Sequence, residues 1–338
     1  MRRWIRAAQI LGALVGLVVV AGIVLYLVPS DDYILLPDVA HPVAPLVRVQ
    51  GARPDKGPGG IYFVDVFERR ASLLEKLFPF IRSGSTLVPA NEIVPPGSNS
   101  NQVRQADLEE MSVSQRVAAA VALRRLGYHV VAMPDGVTVI EVETGSHAIG
   151  KLQPDDVVVS VDRHPTPTIV SLEHRLSTFR PGAVVTLGVR RGSRALHYTI
   201  RTIADPLDRT RAIIGFAPEQ SSSIHLPIRV SIDAGNVGGP SAGLAFALQV
   251  METLGKDVDH GYKVAATGEM ELDGTVAAIG GIEQKTFGAR EAGVDVFLVP
   301  VAGDNAADAK RYAHGLRIIP VKSFPQALHA LATLPPKT

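Results

Sequence analysis

A serine at position 241 lies where a glycine-rich turn is expected to enter a helix. The segment reads Gly-Gly-Pro-Ser-Ala-Gly over residues 238–243. A helix amino terminus beneath the hydroxyl favours developing negative charge, and small neighbours let a substrate backbone approach closely. Because Pro240 has no amide hydrogen, oxyanion donors have to come from the amide of Ser241, joined by that of Gly239 or of another strand. A plain helix cap is the alternative interpretation of these residues.

Lys285 is a candidate base for that hydroxyl. It follows Gly281 on a helix predicted over residues 282–292, and it shares an apolar stripe with Ile282 and Ala289. Burial penalises the ammonium form, which lowers the pKa of a lysine and lets the neutral amine accept a proton at neutral pH. The alternative is a stem that lies on the apolar face and carries its ammonium out to solvent.

The elements that must position both side chains alternate between strands and helices. Apolar periodicity and turn residues after residue 205 predict, in order, a strand at 226–232, a helix at 242–254, a hairpin through 267–279, the helix that carries Lys285, a strand at 296–299, a helix at 306–313, a strand at 316–320 and a last helix capped by Ser323. This alternation is typical of an α/β domain.

The middle of the chain has a different texture from its two flanks. Upstream, residues 61–67 predict a buried strand, and a helix is expected from Ser112 or Ser114 to Arg125. Residues 128–204 instead show short β-rich runs separated by Gly-Ser, Pro-Asp and Pro-Gly pairs. These patterns predict a compact, mainly β module in the middle of the chain.

Residues 136–162 resemble the PDZ domains of bacterial proteases. The matching features are a strand, a Gly-Ser-x-Ala turn, a Pro-Asp-Asp segment and an apolar strand that ends in Asp162. A PDZ domain captures extended peptide ends by adding a strand and by holding a terminal carboxylate on backbone amides. The loop that ends in Gly136 and Val137 is the candidate carboxylate loop. The alternative is a β module that only holds its neighbour in place.

Two further motifs resemble the proteolytic domain of the Lon protease family over about residues 227–331. They are Gly-Pro-Ser-Ala-Gly and Thr-Gly-Glu-x-x-Leu-x-Gly-x-Val-x-x-Ile-Gly-Gly-Ile-x-x-Lys, with family-like spacing. The resemblance implies that Ser241 is the nucleophile, that Lys285 is the general base, and that Thr267 is a hydroxyl that steadies the lysine. It also implies assembly into a ring of subunits, a hexamer in the family.

The resemblance further implies a layout for the whole chain. An α/β (α+β) Lon-type proteolytic domain is expected over residues 61–127 and 207–335, with an inserted mainly-β PDZ domain over residues 128–206. Ahead of them, residues 1–30 are expected to form a cytoplasmic tail and anchor, and residues 31–60 a stalk rich in proline and glycine. This arrangement resembles the Lon-like PDZ-containing serine peptidases of bacteria.

The anchor is predicted from an uncharged apolar run over residues 10–28, which has the length of one bilayer-spanning helix, about 20 residues. A cleaved signal peptide is the alternative, but its apolar region is shorter, roughly 7–15 residues, and precedes a small-x-small site. Three arginines precede this run, while Asp31 and Asp32 follow it. The positive-inside bias therefore predicts a single-pass protein of the cytoplasmic membrane with its catalytic domain outside.

The composition excludes several function classes. With 34 basic and 33 acidic side chains, the chain lacks the charge excess of a nucleic-acid-binding protein. The absence of cysteine excludes disulfides, thiolate zinc sites and a cysteine nucleophile. The 10 histidines show no paired metal-binding spacing, so neither a metal nor another cofactor is expected.

The chain departs from the full Lon pattern in three places. Gly238 stands where the family usually carries an acidic residue, and residues 228–230 stand where it often has histidines. No Gly-x-x-x-x-Gly-Lys-Ser/Thr phosphate loop is present, so the ATPase motor is missing from this sequence. We therefore expect an ATP-independent serine endopeptidase that cleaves peptides or unfolded segments. The alternatives are a non-catalytic membrane adaptor that binds peptide ends, and a small-molecule kinase that uses the turn as a phosphate cradle.

Overall fold

The computed structural model describes residues 2–52, 58–94, 99–206 and 208–337, and within residues 2–11 the backbone alone. Its helices are α1 (Arg2–Leu27), α2 (Leu73–Leu77), α3 (Ala90–Ile93), α4 (Ser100–Arg125), α5 (Ile169–Leu176), α6 (Gly243–Thr253), α7 (Ile282–Glu291), α8 (Asn305–Tyr312) and α9 (Phe324–Ala332). Its strands are β1 (Pro29–Pro37), β2 (His41–Pro42), β3 (Val47–Val49), β4 (Gly60–Phe63), β5 (Val66–Ser72), β6 (Thr86–Pro89), β7 (Val131–Val142), β8 (Val157–Val161), β9 (His164–Pro165), β10 (Val184–Arg191), β11 (Arg194–Arg201), β12 (Ile203–Ala204), β13 (Ala212–Ile213), β14 (Phe216–His225), β15 (Val230–Ile232), β16 (Lys263–Ala266), β17 (Glu269–Met270), β18 (Val276–Ala277), β19 (Val296–Pro300) and β20 (Arg317–Val321).

The chain divides into two compact units. One unit combines residues 1–127 with residues 228–338, and the other spans residues 128–227. The second unit therefore ends beyond the predicted boundary at residue 206. The reason is β14, which pairs antiparallel with β7 along its whole length and so belongs to the β unit.

The discontinuous unit is built on a sheet of order β2-β4-β16-β19-β20. All its strands except β2 are parallel, and all five residues of β19 are buried. Parallel neighbours need crossover connections, and helices α7 and α8 supply them between β16 and β19 and between β19 and β20. The α/β arrangement that the strand and helix alternation predicted is confirmed in this unit.

Two helices of the same unit, α4 and α6, pack against each other, and α6 also contacts strand β4 of the sheet. Every residue of α6 is buried, as expected for a helix that contacts both β4 and α4. Helix α4 begins at Ser100 rather than at the predicted Ser112 or Ser114, because Asn99 and Gln102 form a reciprocal capping box. The polar residues of its first turns concealed that start, and Ser114 lies buried within the helix instead of capping it.

The segment predicted as a stalk forms part of this unit. Strand β1 pairs with β5 and β6, and β3 pairs with β15, so much of the range 31–60 lies in sheets. Prolines are tolerated because they fall at strand ends, as Pro29 and Pro37 do in β1. The strand predicted over residues 61–67 is divided between β4 and β5.

The backbone of the amino-terminal region is helical, as α1. Among the residues that the structure describes, no helix combines the length and apolar character needed to cross a bilayer. Side chains before residue 12, which include the start of the predicted anchor and the arginines ahead of it, lie outside that description. The transmembrane anchor therefore stays a prediction.

The β unit has a sheet of order β11-β10-β8-β7-β14, with β9 paired to β8. Helix α5 starts from a capping box between Thr168 and Ser171. Apolar side chains from the sheet and from α5 form the core of this unit, among them Val139, Leu172 and Leu187. The unit is mainly β, as predicted from its short strands and turn residues.

Candidate active site

The structure brings Ser241 and Lys285 together although 44 positions separate them in the sequence. The Nζ atom of Lys285 lies 2.5 Å from the Oγ atom of Ser241, and the ammonium donates a hydrogen bond to that oxygen. The serine belongs to the turn that enters α6, and the lysine lies in the first turns of α7. Once the lysine is neutral, the same contact lets the serine hydroxyl donate its proton to Nζ.

Burial makes Lys285 suitable as a base. Its residue is only 4% exposed, and loss of solvation lowers its pKa to about 8, against a weaker opposing attraction from Asp65. The alternative in which the ammonium reaches solvent does not occur. At neutral pH a useful fraction of the lysine is therefore uncharged, and that fraction increases as the pH rises through about 8.

The turn before α6 is held by neighbouring elements. Gly239 adopts φ +80°, a conformation that favours glycine, and its amide donates to the carbonyl of Asp107 at 2.8 Å. Ser114 donates its hydroxyl to the carbonyl of Pro240 at 2.9 Å. Since the Gly239 amide is occupied, it is a poor oxyanion donor in this conformation, which leaves the amide of Ser241 from the predicted pair.

Thr267 makes a hydrogen bond to the backbone of Ser241, whereas the resemblance implied a role beside Lys285. Its hydroxyl donates to the Ser241 carbonyl at 3.1 Å, and the amide of Gly268 donates to the same oxygen at 2.8 Å. Thr267 is fully buried. These two bonds fix the backbone that carries the nucleophile.

We expect Thr267→Val to lower kcat/KM about fivefold, because losing one buried hydrogen bond of about 1 kcal/mol lets the Ser241 backbone move. Thr253→Val is a matched control, since Thr253 also donates a buried hydroxyl to a carbonyl, that of Gln249, but on the distal end of α6. Both variants should lose similar unfolding free energy in urea titrations. Equal kcat/KM values for the two variants would contradict the role of Thr267.

An acidic side chain lies against Gly238 although the sequence has none at that position. A Cβ atom on Gly238 would lie 2.6 Å from the Cβ of Asp107, on α4. Burial raises the pKa of Asp107. Repulsion from Asp107 in turn helps to raise the pKa of Glu68. The sequence motifs did not indicate Asp107 or Ser114 as site residues. The two lie two helical turns apart and so share one face of α4, and this spacing is the signal that could have paired them.

The predicted peptide-binding residues Gly136 and Val137 lie within the β unit, in the interior of its sheet. They pair with Ser221 and Gln220 of β14, and Val137 also pairs with Val158 of β8. A strand bonded on both sides cannot accept a peptide as a further strand. The structure therefore places Gly136 and Val137 in a paired strand rather than in the expected loop, and their part in holding a peptide carboxylate stays a prediction.

Three carboxylates cluster at the carboxyl end of α6: Glu252, Asp257 and Asp259 each have an oxygen within 4.8 Å of the others. Glu252 is buried, which raises its pKa to about 7, and its Oε1 accepts the amide hydrogens of Val258 and Asp259. These bonds shape the loop after α6. The cluster lies at the opposite end of that helix from Ser241, so it takes no part in the dyad.

Comparison with known proteins assigns the two regions. Residues 209–333 match the family model of the Lon protease (S16) C-terminal proteolytic domain, and residues 124–202 match that of the PDZ domain. The chain therefore carries a Lon-type proteolytic domain and a PDZ domain, and the former supports a serine peptidase.

Individual relatives match through the proteolytic region. This chain is 36% identical over 109 residues to Lon protease 1 of Sorangium cellulosum (strain So ce56), covering 29% of this chain and 13% of that protein. It is 33% identical over 114 residues to Lon protease 2 of Bacillus subtilis (strain 168), covering 33% and 19% respectively. The chain thus spans less than a fifth of the length of either relative. Among solved structures, the PDZ domain of an SdrC-like protein from Listeria monocytogenes matches with TM-score 0.23 and 20% identity, over 25% of this chain and 87% of that one.

Proposed function

We propose that this protein is an ATP-independent serine endopeptidase that cleaves peptides or unfolded segments with the Ser241–Lys285 dyad. The observation that carries this proposal is the 2.5 Å approach between the Nζ atom of Lys285, which is buried, and the Oγ atom of Ser241. A lysine that only packed on its helix would not need to end on a hydroxyl at a helix entrance. A phosphate cradle would use a charged ammonium, whereas burial shifts Lys285 toward its neutral form.

The proposed reaction has two halves, acylation and deacylation, and each half needs two proton transfers. Neutral Lys285 takes the hydroxyl proton while Oγ of Ser241 bonds to the peptide carbonyl carbon. The ammonium then returns that proton to the leaving amine as the carbon–nitrogen bond breaks, which leaves an acyl ester on the serine. Water, deprotonated by the same amine, hydrolyses the ester and restores the hydroxyl. The helix entrance and the amide of Ser241 stabilise the oxyanion in each half.

The substrate class follows from what this sequence contains. It has no phosphate loop with which to couple nucleotide hydrolysis to unfolding. Without such a motor, chains that are already extended reach the serine most readily. Assembly into a ring, as the Lon resemblance implies, is part of the proposal, and the mass of the purified protein in solution tests it.

The PDZ domain is proposed to capture peptide ends on β14. This strand and β11 are the two outer strands of the described sheet, so their outward backbone groups are the ones a peptide can pair with. Helix α5 borders β14, since the side chain of Gln220 bonds to the amide of Ile169 and the carbonyl of Pro167. A groove between a strand edge and a helix suits an extended peptide.

Anchoring in the cytoplasmic membrane, with the catalytic unit outside, is also proposed. Its support is the uncharged run over residues 10–28, the arginines ahead of it, and the large apolar side chains of α1 that solvent reaches, such as Leu17, Val18 and Leu27. A helix that is apolar on all its faces is buried either in a protein core or in a bilayer. Extraction with alkaline carbonate should leave the protein with the membranes, and external protease should reach the domain in spheroplasts. Release by carbonate would contradict the anchor.

The experiment that tests the enzyme uses the purified full chain in detergent. Fluorescein-labelled unfolded casein should be cleaved without nucleotide, and a serine-reactive probe should label Ser241. Probe labelling at another residue, or intact casein at all pH values between 6 and 9, would contradict the peptidase. If peptides with free carboxyl ends then still bound, the non-catalytic adaptor would be the better account.

A further inference from the structure

Two segments distant in sequence from the dyad pack against the helix that carries its lysine. A Cβ atom on Gly281, at the start of α7, would lie 2.8 Å from Cγ2 of Val66. Two helical turns later, a Cβ on Gly288 would overlap the carbonyl oxygen of Asp38, and the Gly288 carbonyl accepts a hydrogen bond from the amide of Ala40. Residues 38–41 and 64–66 therefore line one side of the helix that carries the lysine.

These segments bring three titratable side chains together beside that helix. Nε2 of His41 lies 3.3 Å from Oδ2 of Asp38 and 3.9 Å from Oδ1 of Asp65. Oδ1 of Asp65 is buried and accepts no hydrogen bond within the described chain. Burial and the negative Asp38 raise the pKa of Asp65, whereas His41 and Lys285 lower it. One carboxylate oxygen of Asp65 is therefore buried without a hydrogen-bond donor among the described residues.

Asp65 is also the charged group that acts on Lys285. Two causes shift the pKa of this lysine: burial lowers it, and attraction to the Asp65 carboxylate raises it. The proposed reaction creates a buried ammonium when the lysine takes the serine proton. A carboxylate nearby stabilises that ammonium, and stabilising it makes the neutral amine a stronger base.

We propose that Asp65 is a positioning residue for the proposed dyad: its carboxylate stabilises the ammonium that Lys285 becomes, and so sets the pH below which the base is unavailable. The inference rests on the proposed peptidase function. The dyad alone does not set the basicity of Lys285; the bend between β4 and β5, which carries Asp65, does so. Asp38, His41 and Lys285 are the groups whose charges act on Asp65 in the described part of the chain.

The test is the pH profile of casein cleavage by full-length Asp65→Asn. Without the carboxylate, the pH at half-maximal kcat/KM should fall by about one unit. The plateau at high pH should fall several-fold as well, because the amine is a weaker base. A residue with a merely structural role would lower the plateau and leave the midpoint unchanged.

Glu283→Gln is the matched control, since Glu283 is a carboxylate on the helix that carries Lys285, its Oε2 accepts a hydrogen bond from Thr86, and only burial and Asp65 shift the pKa of Lys285. Its midpoint should equal that of the wild type. Thermal unfolding monitors folding, and Asp65→Ser should give the same shift if Asp65→Asn folds poorly. If the pH midpoint is unchanged in both Asp65→Asn and Asp65→Ser, the inference is overturned. It is also overturned if wild-type activity requires an added divalent cation and Asp65→Asn no longer requires it. Loss of wild-type cleavage altogether would instead contradict the peptidase.

Discussion

Ser241→Ala should lower the rate of casein cleavage by at least about 10⁴-fold, because it removes the hydroxyl that forms the acyl ester. The 2.5 Å contact with Nζ of Lys285 identifies this hydroxyl as the one whose proton the lysine can take. Residual cleavage should not show a burst, since the burst reports accumulation of the acyl-enzyme. Initial rates over a range of casein concentrations measure the effect.

The same variant should keep its fold. The two hydrogen bonds that hold the Ser241 carbonyl come from Thr267 and Gly268, and alanine retains that carbonyl. Its thermal midpoint should lie within about 2 °C of the wild type. Ser112→Ala, at an exposed serine of α4, is a control that should cleave normally. Cleavage by Ser241→Ala at a tenth of the normal rate or more would exclude Ser241 as the nucleophile.

Lys285→Met should lower kcat/KM by about 10³-fold or more at every pH, because methionine fills a similar volume but accepts no proton. Lys285→Arg should be equally inactive, since a guanidinium stays protonated. In the wild type, burial lowers the lysine pKa to about 8. The rate should therefore rise about tenfold per pH unit below pH 7 and level off above pH 9.

Stability provides an independent check on the same residue. A lysine whose pKa is lowered on folding binds fewer protons in the folded chain than in the unfolded chain between about 8 and 10.5. The free energy of unfolding should consequently rise with pH across that interval, and it should be lowest, as far as this group is concerned, below pH 8. Lys285→Met removes the charge, so urea titration at pH 7 should find it at least as stable as the wild type. A large destabilisation would show that the ammonium itself holds the fold.

The sequence by itself determined the two motifs and the elements that carry them. A glycine-rich turn before an apolar run predicts a helix entrance, and helical spacing places Lys285 on the buried stripe of α7. These inferences succeed because turn chemistry and helix periodicity depend on residues within a few positions of one another. The hairpin through β17 and β18, with its Asp-Gly turn, was predicted for the same reason.

Only the tertiary structure decided which groups meet at the site. Asp65 acts on Lys285 across more than two hundred residues, and Asp107 reaches Gly238 from the opposite helix. Strand β14 pairs with the segment that was expected to form the carboxylate loop. Such contacts depend on how whole elements pack, and a short sequence pattern does not specify which distant segment will pack against it. That is why the chemistry could be predicted locally while the control of its basicity could not.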